Sequence, residues 1–522
     1  MDGLGVDPVE EGNAVLLAKT PFLDTVWTKG FSTLIQASGI NVGLPDGEPG
    51  NSEVGHLNIG SGQVVYQSLS RINDSINSGK FYENPVIKEA FEEVKKRGSN
   101  LHFMGLLSTG GVHGHTDHLY ALMEIAQKYK IDPFIHAFLD GRDTGLNDGY
   151  FFLSKLMEKI KQLGVGKLAT LSGRLYSMDR DKRWERTQEA YDCMVGNANV
   201  RRAIDPFKAV QEAYANGEND QIFKPTILVD GKSQPLGSIK DNDVVIFYNF
   251  REDRARQITK AFVIKELDNL NRDNFPHNLH FVTMTGYEEG LPVKVVYPPK
   301  PIDRSMAHIL SERGMKQLHI SETEKYMHVT YFFNGGVEDP FEGEDRMNIP
   351  SPRVFDYAET PQMSAEIIAD EAVYRLTRQD KLNYSFIVIN FANPDMLGHT
   401  GNLDAAIKGV EYTDKCVARV VKKTVEKGGA AIIIADHGNC EIMIDHETGK
   451  PHTFHTTNPV PFIVVSEKEQ CVADKDEKLL RIGTGERAVA SGILADVIPT
   501  ALSMLGIEQA QTMTGVNLLE VL

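Results

Sequence analysis

The sequence predicts an α/β protein of two domains, each a mostly parallel sheet flanked by helices. Three observations predict it. The chain has 522 residues, more than one ordinary domain holds. Strand-length apolar runs alternate with segments of helical spacing, the rhythm of βα units. Polar residues follow the strands immediately, on the edge where open parallel sheets gather ligands.

In chain order, Met1-Asp2-Gly3 opens on an Asp-Gly turn, the kind of turn that usually follows a strand. Residues 14–36 read as helical in part, with Thr20-Pro21 opening a second helix. Residues 43–47 are loop. Then comes Gly50-Asn51-Ser52-Glu53-Val54-Gly55-His56, a serine between glycines at the start of a helix. Glycines let backbone approach a bulky anion, and a helix N-terminus suits phosphate. Taken alone, the stretch is equally a helix cap, because Asn and Ser are both N-cap residues. Residues 68–78 have helical spacing.

The βα rhythm then sets in. Residues 101–108 form a strand running into Gly110-Gly111-Val112-His113, with a helix over 119–129. Residues 134–139 lead to Asp140-Gly141-Arg142-Asp143, with a helix over 152–163. Residues 168–172 lead to Gly173-Arg174 and Asp179-Arg180-Asp181, and residues 244–250 to Arg251-Glu252-Asp253-Arg254. Tyr297-Pro298-Pro299-Lys300-Pro301 reads as a linker. A second βα series follows, with strands at 318–322, 385–390, 431–435 and 462–466.

Net charge is −17, which argues against nucleic acid or an anionic membrane as a partner. A small anionic substrate stays open, because charge local to a pocket decides that. No apolar run approaches the ~20 residues of a membrane span, and no signal-peptide pattern is visible. Cys193, Cys416, Cys440 and Cys471 show no paired spacing and suit a reducing compartment. The expectation is a cytoplasmic enzyme.

Two distant stretches have the composition of metal sites: Asp395-Met396-Leu397-Gly398-His399, and Asp436-His437 with His455. Asp2 adds a carboxylate. Carboxylate with imidazole suits Mn, Zn or Fe. Any one histidine is more often a surface or hydrogen-bonded residue, but Asp-His pairs just after apolar strands are harder to dismiss. Arg142, Arg174, Arg180, Arg251 and Arg254 all fall at or soon after strand ends. Each alone is better explained as a solvated arginine; five at equivalent positions are better explained as an anion clamp. Lys325 adds charge. Asp143 is a candidate acid/base, with a plain salt bridge to Arg142 as the simpler account. Metal candidates lie before about residue 68 or after 390, and the arginines lie between. The expected division is 1–67 with 302–522 for a metal-binding, phosphatase-like domain, and 71–298 for an inserted substrate-binding domain. A serine, metals and an anion clamp fit phosphoryl or sulfuryl transfer.

On these stretches, together with residues 178–186, 322–325, 333–336, 393–401, 435–439 and 452–461, the chain resembles the cofactor-independent phosphoglycerate mutases of the alkaline phosphatase superfamily. The resemblance runs from Asp2 almost to the C-terminus. It implies that Asp395, His399 and His455 hold one manganese, and that Asp2, Ser52, Asp436 and His437 hold a second. Mg, Co or Zn would substitute in some settings. It implies that Ser52 becomes phosphoserine, with Asp143 shuttling protons and Lys325 in the catalytic set. His113, Arg142, Asp143, Arg174, Arg180, Arg251, Arg254 and Lys325 would bind the phosphoglycerate. The implied activity is interconversion of 3- and 2-phosphoglycerate in glycolysis and gluconeogenesis by a monomer, without 2,3-bisphosphoglycerate. Closure of the domains would shield phosphoserine from water.

Glu252 and Thr109 depart from the family's pattern. Glu252 would either neutralise the arginines beside it or point outward. In the family an apolar strand also runs into the Asp-Gly turn, whereas here Met1 alone precedes Asp2. Three or four apolar side chains of such a strand would contribute ~5–10 kcal/mol, against ~5–15 kcal/mol for a whole domain. The expectation is therefore that the natural chain begins upstream, and that this chain is less stable, with Asp2 on a frayed end. The rival readings are another superfamily enzyme, such as a phosphopentomutase or phosphatase, and a catalytically impaired metal-binding paralogue or truncated form.

Overall fold

The computed structural model describes residues 1–197, 199–273, 275–299, 302–467, 480–484 and 489–521. Cys471 and the end of the Pro-rich linker, 300–301, lie outside them. The chain divides into two compact units, Met1–Gln67 with Pro301–Leu522, and Ser68–Lys300.

The N-terminal stretch is helical in part, as expected for 14–36, with Thr20-Pro21 opening the second helix, and its remainder is a strand. Two helices, Ala14–Leu17 and Pro21–Lys29, are followed by a strand, β1, Phe31–Gln36. Gly30 ends the second helix, and its amide bonds Val26 O at 2.8 Å. A Cβ there would lie 2.7 Å from that carbonyl, so only glycine lets the chain turn directly into β1.

Ser68–Lys300 is built on one sheet. Its strands are β2 Leu101–Leu106, β3 Phe134–Leu139, β4 Lys167–Gly173, β5 Arg201–Ala203, β6 Thr226–Leu228, β7 Val244–Phe247, β8 His280–Thr285 and β9 Lys294–Tyr297. The order is β5-β6-β4-β3-β2-β7-β8-β9, and every ladder is parallel except β4–β6. The central strands β2, β3 and β7 are buried almost throughout, which is why they read as continuous apolar runs rather than alternating ones. The chain moves one way from β2 through β3 to β4, and the other way from β7 through β8 to β9. The order therefore reverses between β2 and β7, and a crevice opens at the carboxyl ends of strands at such a reversal.

The other unit carries two sheets. In one, β10 Lys316–Glu322 lies between β11 Glu344–Ile349 and β12 Tyr384–Ile389, all parallel. In the other, β13 Ala431–Ile434, β14 Val460–Val465, β1 and β15 Ala490–Ile493 follow in that order. Here β13–β14 and β14–β1 are antiparallel and β1–β15 is parallel. A 24-residue helix, Leu403–Glu426, buries Val410, Val417 and Val421 at helical spacing and is capped by the Asn402 side chain. No helix among the described residues is long and apolar enough to cross a membrane.

Candidate catalytic centre and anion cluster

The helix Ser52–Ser61 is capped by Asn51, whose side chain accepts from Val54 N at 2.9 Å. The cap explanation thus belongs to Asn51, which leaves the Ser52 hydroxyl free for other contacts. Two glycines bring this helix against the rest of the site. A Cβ on Gly50 would meet Ala37 O at 2.1 Å, and one on Gly55 would meet Asp436 O at 2.6 Å.

Ser52 is 6% exposed. Its Oγ lies 3.0 Å from His437 Nε2 and 3.1 Å from Asp2 Oδ1, and it accepts from Lys325 Nζ at 2.8 Å. Lys325 also reaches Asp2 Oδ1 at 2.7 Å and Asp395 Oδ2 at 2.5 Å. Asp2 follows directly: its amide donates to Phe391 O at 3.0 Å, and Asn390 Nδ2 donates to its Oδ2 at 2.7 Å. The expectation of a frayed Asp2 is therefore wrong. The residue is 1% exposed and pinned through both backbone and side chain.

Burial favours the neutral acid at Asp2 and Asp395, yet the Lys325 ammonium and neighbouring imidazoles hold both well below the usual carboxylate range. Burial opposes charge on His437, but Asp436, Asp395 and Asp2 outweigh it and push it up to about 10. Three buried carboxylates thus draw positive charge into one small volume.

The donor chemistry fits divalent cations. His399 Nδ1 faces Thr453 O at 2.8 Å, and His455 Nδ1 faces Gly50 O at 2.8 Å. Carbonyls accept only, so both Nδ1 atoms carry the proton and both Nε2 lone pairs are free. Those Nε2 atoms lie 3.1 Å apart, each 3.3 Å from Asp395 Oδ1. Asp395, His399 and His455 form one candidate ligand set, the grouping the family resemblance implies. Around Asp2 the sets are Asp2-His56-Asp436 and Asp2-Asp395-His437. His56 was not anticipated. Its Nδ1 lies 3.1 Å from Asp436 Oδ2 and 2.9 Å from Ser52 O. One proton cannot serve both, and Asp436 Oδ2 is left buried without a hydrogen bond, as a cation ligand would be.

Glu441 also escaped the sequence reading. It is 1% exposed and accepts from Gly5 N, Asn439 N, Asn458 Nδ2 and Thr456 Oγ1. Asn439 in turn donates to Asp395 Oδ1 at 2.8 Å, and Thr456 adjoins His455. Glu441 therefore ties three ligand-bearing loops together. Burial raises its carboxyl pKa.

In Ser68–Lys300 the candidate arginines follow β3, β4 and β7, and His113 follows β2. Arg174 is buried and donates to Asp140 Oδ1 at 2.5 Å and Asp143 Oδ2 at 2.6 Å. Asp143 is therefore paired with Arg174 rather than with its neighbour Arg142. Arg180 donates to Asp253 Oδ2 at 2.7 Å, and Arg251 Nε lies 3.4 Å from Asp253 Oδ1. Arg254 donates to Met178 O and lies within the fields of Arg180, Arg174 and Arg142. His113 Nδ1 and Asp253 Oδ1 are 3.4 Å apart, both buried and both without a hydrogen bond. Burial, then Arg174, pushes His113 down to about 4, so its imidazole is neutral at pH 7. Asp140 and Asp253 went unremarked in the sequence, and here they organise the arginines. Glu252 faces Arg256 at 3.9 Å, so it is directed away from the cluster.

A serine hydroxyl among buried carboxylates and convergent imidazoles, on an α/β chain that also carries an arginine cluster, defines a class: metal-assisted chemistry on an anionic substrate. Comparison with known proteins narrows it. Residues 72–289 match the family model described as the BPG-independent PGAM N-terminus. A 2,3-bisphosphoglycerate-independent phosphoglycerate mutase of Clostridium novyi is 48% identical, over 99% of this chain and 98% of that protein. One of Methanococcoides burtonii is 47% identical, over 100% and 97%. A Leishmania mexicana phosphoglycerate mutase, crystallised at low cobalt concentration, shares 32% identity and a TM-score of 0.59 over 99% of this chain and 96% of that one. The chain belongs to the 2,3-bisphosphoglycerate-independent phosphoglycerate mutases. Coverage this complete does not favour an impaired paralogue.

Proposed function

We propose that the chain interconverts 3-phosphoglycerate and 2-phosphoglycerate through a phosphoserine on Ser52, with two divalent cations, manganese foremost, and without added 2,3-bisphosphoglycerate. The observation that carries this reading is the Ser52 hydroxyl, buried within 3.0 Å of His437 Nε2 and 2.8 Å of Lys325 Nζ. Asp395, His399 and His455 would hold one cation, and Asp2, Ser52, Asp436 and His437 the other. Divalent cations there would favour the serine alkoxide and polarise the phosphoryl oxygens. The use of cobalt with the Leishmania mexicana relative supports a transition-metal site.

Ser52 Oγ, as the alkoxide once its proton has left to solvent, would attack phosphorus, and the bond from phosphorus to the C3 oxygen of the glycerate would break. That oxygen would take a proton from Asp143 in its acid form. The C2 hydroxyl then returns its proton to Asp143 and attacks the phosphoserine, which frees Ser52. Lys325 stabilises charge developing on the transferring oxygens. Met1–Gln67 with Pro301–Leu522 would be the phosphotransfer unit. Ser68–Lys300 would hold the glycerate carboxylate and hydroxyls through His113, Arg142, Arg174, Arg180, Arg251 and Arg254, guanidinium being the fork that matches carboxylate and phosphate. The enzyme would be a cytoplasmic monomer. Cys193, Cys416 and Cys440 are all free and buried, which supports a reducing compartment.

A coupled assay with enolase tests this. Dialysed, chelated enzyme should be inactive, recover with manganese, and gain nothing from 2,3-bisphosphoglycerate. Activity that appears only when the bisphosphate is added would overturn the reading.

A further inference from the structure

The loop from Asp140 to Gly149 carries Arg142 and Asp143. Its middle is exposed, while Gly141 and Gly149 near its two ends are buried. Both buried ends rest on one residue, Asp220, which opens the short turn Asp220–Ile222. A Cβ on Gly141 would lie 2.9 Å from Asp220 Cβ and 2.6 Å from Gln221 N, and the φ of Gly141, +65°, suits glycine. A Cβ on Gly149 would overlap Asp220 Oδ1. The strand end that leads to Arg174 meets the same turn. Gly173 N donates to Phe223 O at 2.7 Å, and a Cβ on Gly173 would lie 2.6 Å from Asp220 O. Three glycines thus let one turn pack closely against both segments that present Arg142, Asp143 and Arg174.

Asp220 secures this junction through its carboxyl group and is 1% exposed. Gly149 N, which starts the helix Gly149–Leu163, donates to Oδ2 at 2.7 Å. Tyr214 Oη, on the helix Pro206–Ala215, donates to Oδ1 at 2.5 Å. The Asp220 amide donates to Leu146 O at 3.0 Å, within the loop itself. These partners are backbone groups and a hydroxyl rather than guanidinium groups, so Asp220 acts on the arginines through the loop.

The charged groups around it are Asp148 of the loop, Asp140 at the end of β3, and Arg174, whose guanidinium is engaged by Asp140 and Asp143. Burial foremost, with Asp148 and Asp140, pushes the Asp220 carboxyl up to about 6, although Tyr214 and Gly149 N favour the carboxylate. A raised carboxyl stabilises the fold below the unfolded value, and that gain is lost as pH rises through about 6. Charge on Asp220 at pH 7 therefore works against stability. A neutral side chain of the same shape keeps both bonds: an amide oxygen accepts from Gly149 N, and an amide nitrogen donates to the Tyr214 hydroxyl, which turns to accept.

We propose that Asp220 is a positioning residue for the anion cluster. It fixes both ends of the 140–149 loop on the turn that also meets Gly173, and so sets where Arg142 and Asp143 stand relative to Arg174. The proposal rests on the proposed function for the identity of the anion, so its test reads the loop as well as turnover.

The test uses the full-length, manganese-loaded protein and three variants. Asp220→Ala removes both bonds, Asp220→Asn keeps them, and Val210→Ala takes core packing from the helix that bears Tyr214. Amide exchange is followed over residues 142–149 with β7 as internal reference, and KM and kcat for 3-phosphoglycerate are measured by coupling to enolase. Asp220→Ala should speed exchange in the loop by about tenfold or more while β7 is unchanged, and should raise KM at least about tenfold. Lost stability alone lowers the active fraction, hence apparent kcat, and leaves KM alone. Val210→Ala should therefore melt lower with parental KM and loop exchange. Asp220→Asn should keep KM within about threefold and melt no lower than the parent at pH 7. Should Asp220→Ala fail to fold, Tyr214→Phe, which removes one of the two side-chain donors, replaces it with the same readouts. Loop exchange unaltered by the loss of these bonds, a KM no different from that of Val210→Ala, or an Asn variant as impaired as the Ala variant would overturn the proposal. A parent without mutase activity would instead overturn the proposed function, and loop exchange would still decide the role of Asp220.

Discussion

Ser52 sits among Asp2, Asp395 and Asp436, with one permanent cation, Lys325, in contact. The cluster at the ends of β3, β4 and β7 is the reverse: Arg142, Arg174, Arg180, Arg251 and Arg254 against Asp140, Asp143 and Asp253. Both regions lie beyond the carboxyl ends of strands, yet the residual charge has opposite sign. The first suits cations, and the second, whose acids pair with its arginines, suits an anion. They differ in burial too. Ser52, Asp2, Asp395 and His437 are sealed, whereas Arg180 and Arg251 are about half exposed. On the proposed function the difference would separate chemistry from capture: the centre assigned to making and breaking bonds is buried, and the cluster assigned to selecting substrate is more exposed.

The sharpest way to break this comparison is to remove the nucleophile. Ser52→Ala should lower mutase turnover by on the order of 10⁴-fold or more, the scale for losing a covalent catalyst, with the fold intact by circular dichroism. Turnover within tenfold of the parent would transfer the chemistry elsewhere.

Next is the one arginine of the cluster that is fully buried. Arg174→Ala leaves Asp140 and Asp143 without their cation, and breaking a buried pair costs about 3–5 kcal/mol. Urea denaturation should show that loss in Ser68–Lys300. Arg251→Ala, at a half-exposed position, should cost under ~1 kcal/mol while raising KM. If the two variants lose the same stability, the split between an internal brace and an exposed capture group fails.

How much of this was legible in the sequence depended on how local the signal was. The strand at 134–139 matches β3 residue for residue, because an apolar run bounded by a polar turn carries its own evidence. Asp395 and His399 fall within one five-residue stretch, so its composition alone marked them as candidate ligands, and their side chains lie 3.3 Å apart. β1 was not picked out within a segment read only as helical in part, because Phe31-Ser32-Thr33-Leu34-Ile35-Gln36 alternates weakly and its partner β14 lies more than four hundred residues away. Glu441, Asn390 and Asp253 were missed for another reason. Each is a lone polar residue whose meaning comes from contacts that no local pattern encodes. Asp2 looked frayed because its support comes from Lys325, Asn390 and Phe391, all remote in sequence.

A smaller effect is the pH dependence of stability. In Ser68–Lys300 burial holds His102 and His136 below their ordinary value, and it pushes His118 down to about 3. The unfolded chain takes up these protons first, near pH 6.5. Their contribution to stability is complete above that pH and is lost as pH falls toward the folded-state values. Melting temperature should therefore decline from pH 7 to 5, and His118→Asn should flatten the decline. An unchanged slope would mean that other groups set it. The smallest effect belongs to Glu252. It faces Arg256, so Glu252→Ala should stay within about 0.5 kcal/mol in stability and about twofold in KM.

The most direct test of the central claim is to look for the phosphoryl group on the enzyme. Manganese-loaded protein is mixed with 3-phosphoglycerate, quenched in acid within one turnover, digested and analysed by mass spectrometry. The account predicts one added phosphoryl group on the peptide containing Ser52, and none in Ser52→Ala. A phosphoryl group found on a histidine, or turnover with no phosphorylated enzyme at any quench time, would contradict it.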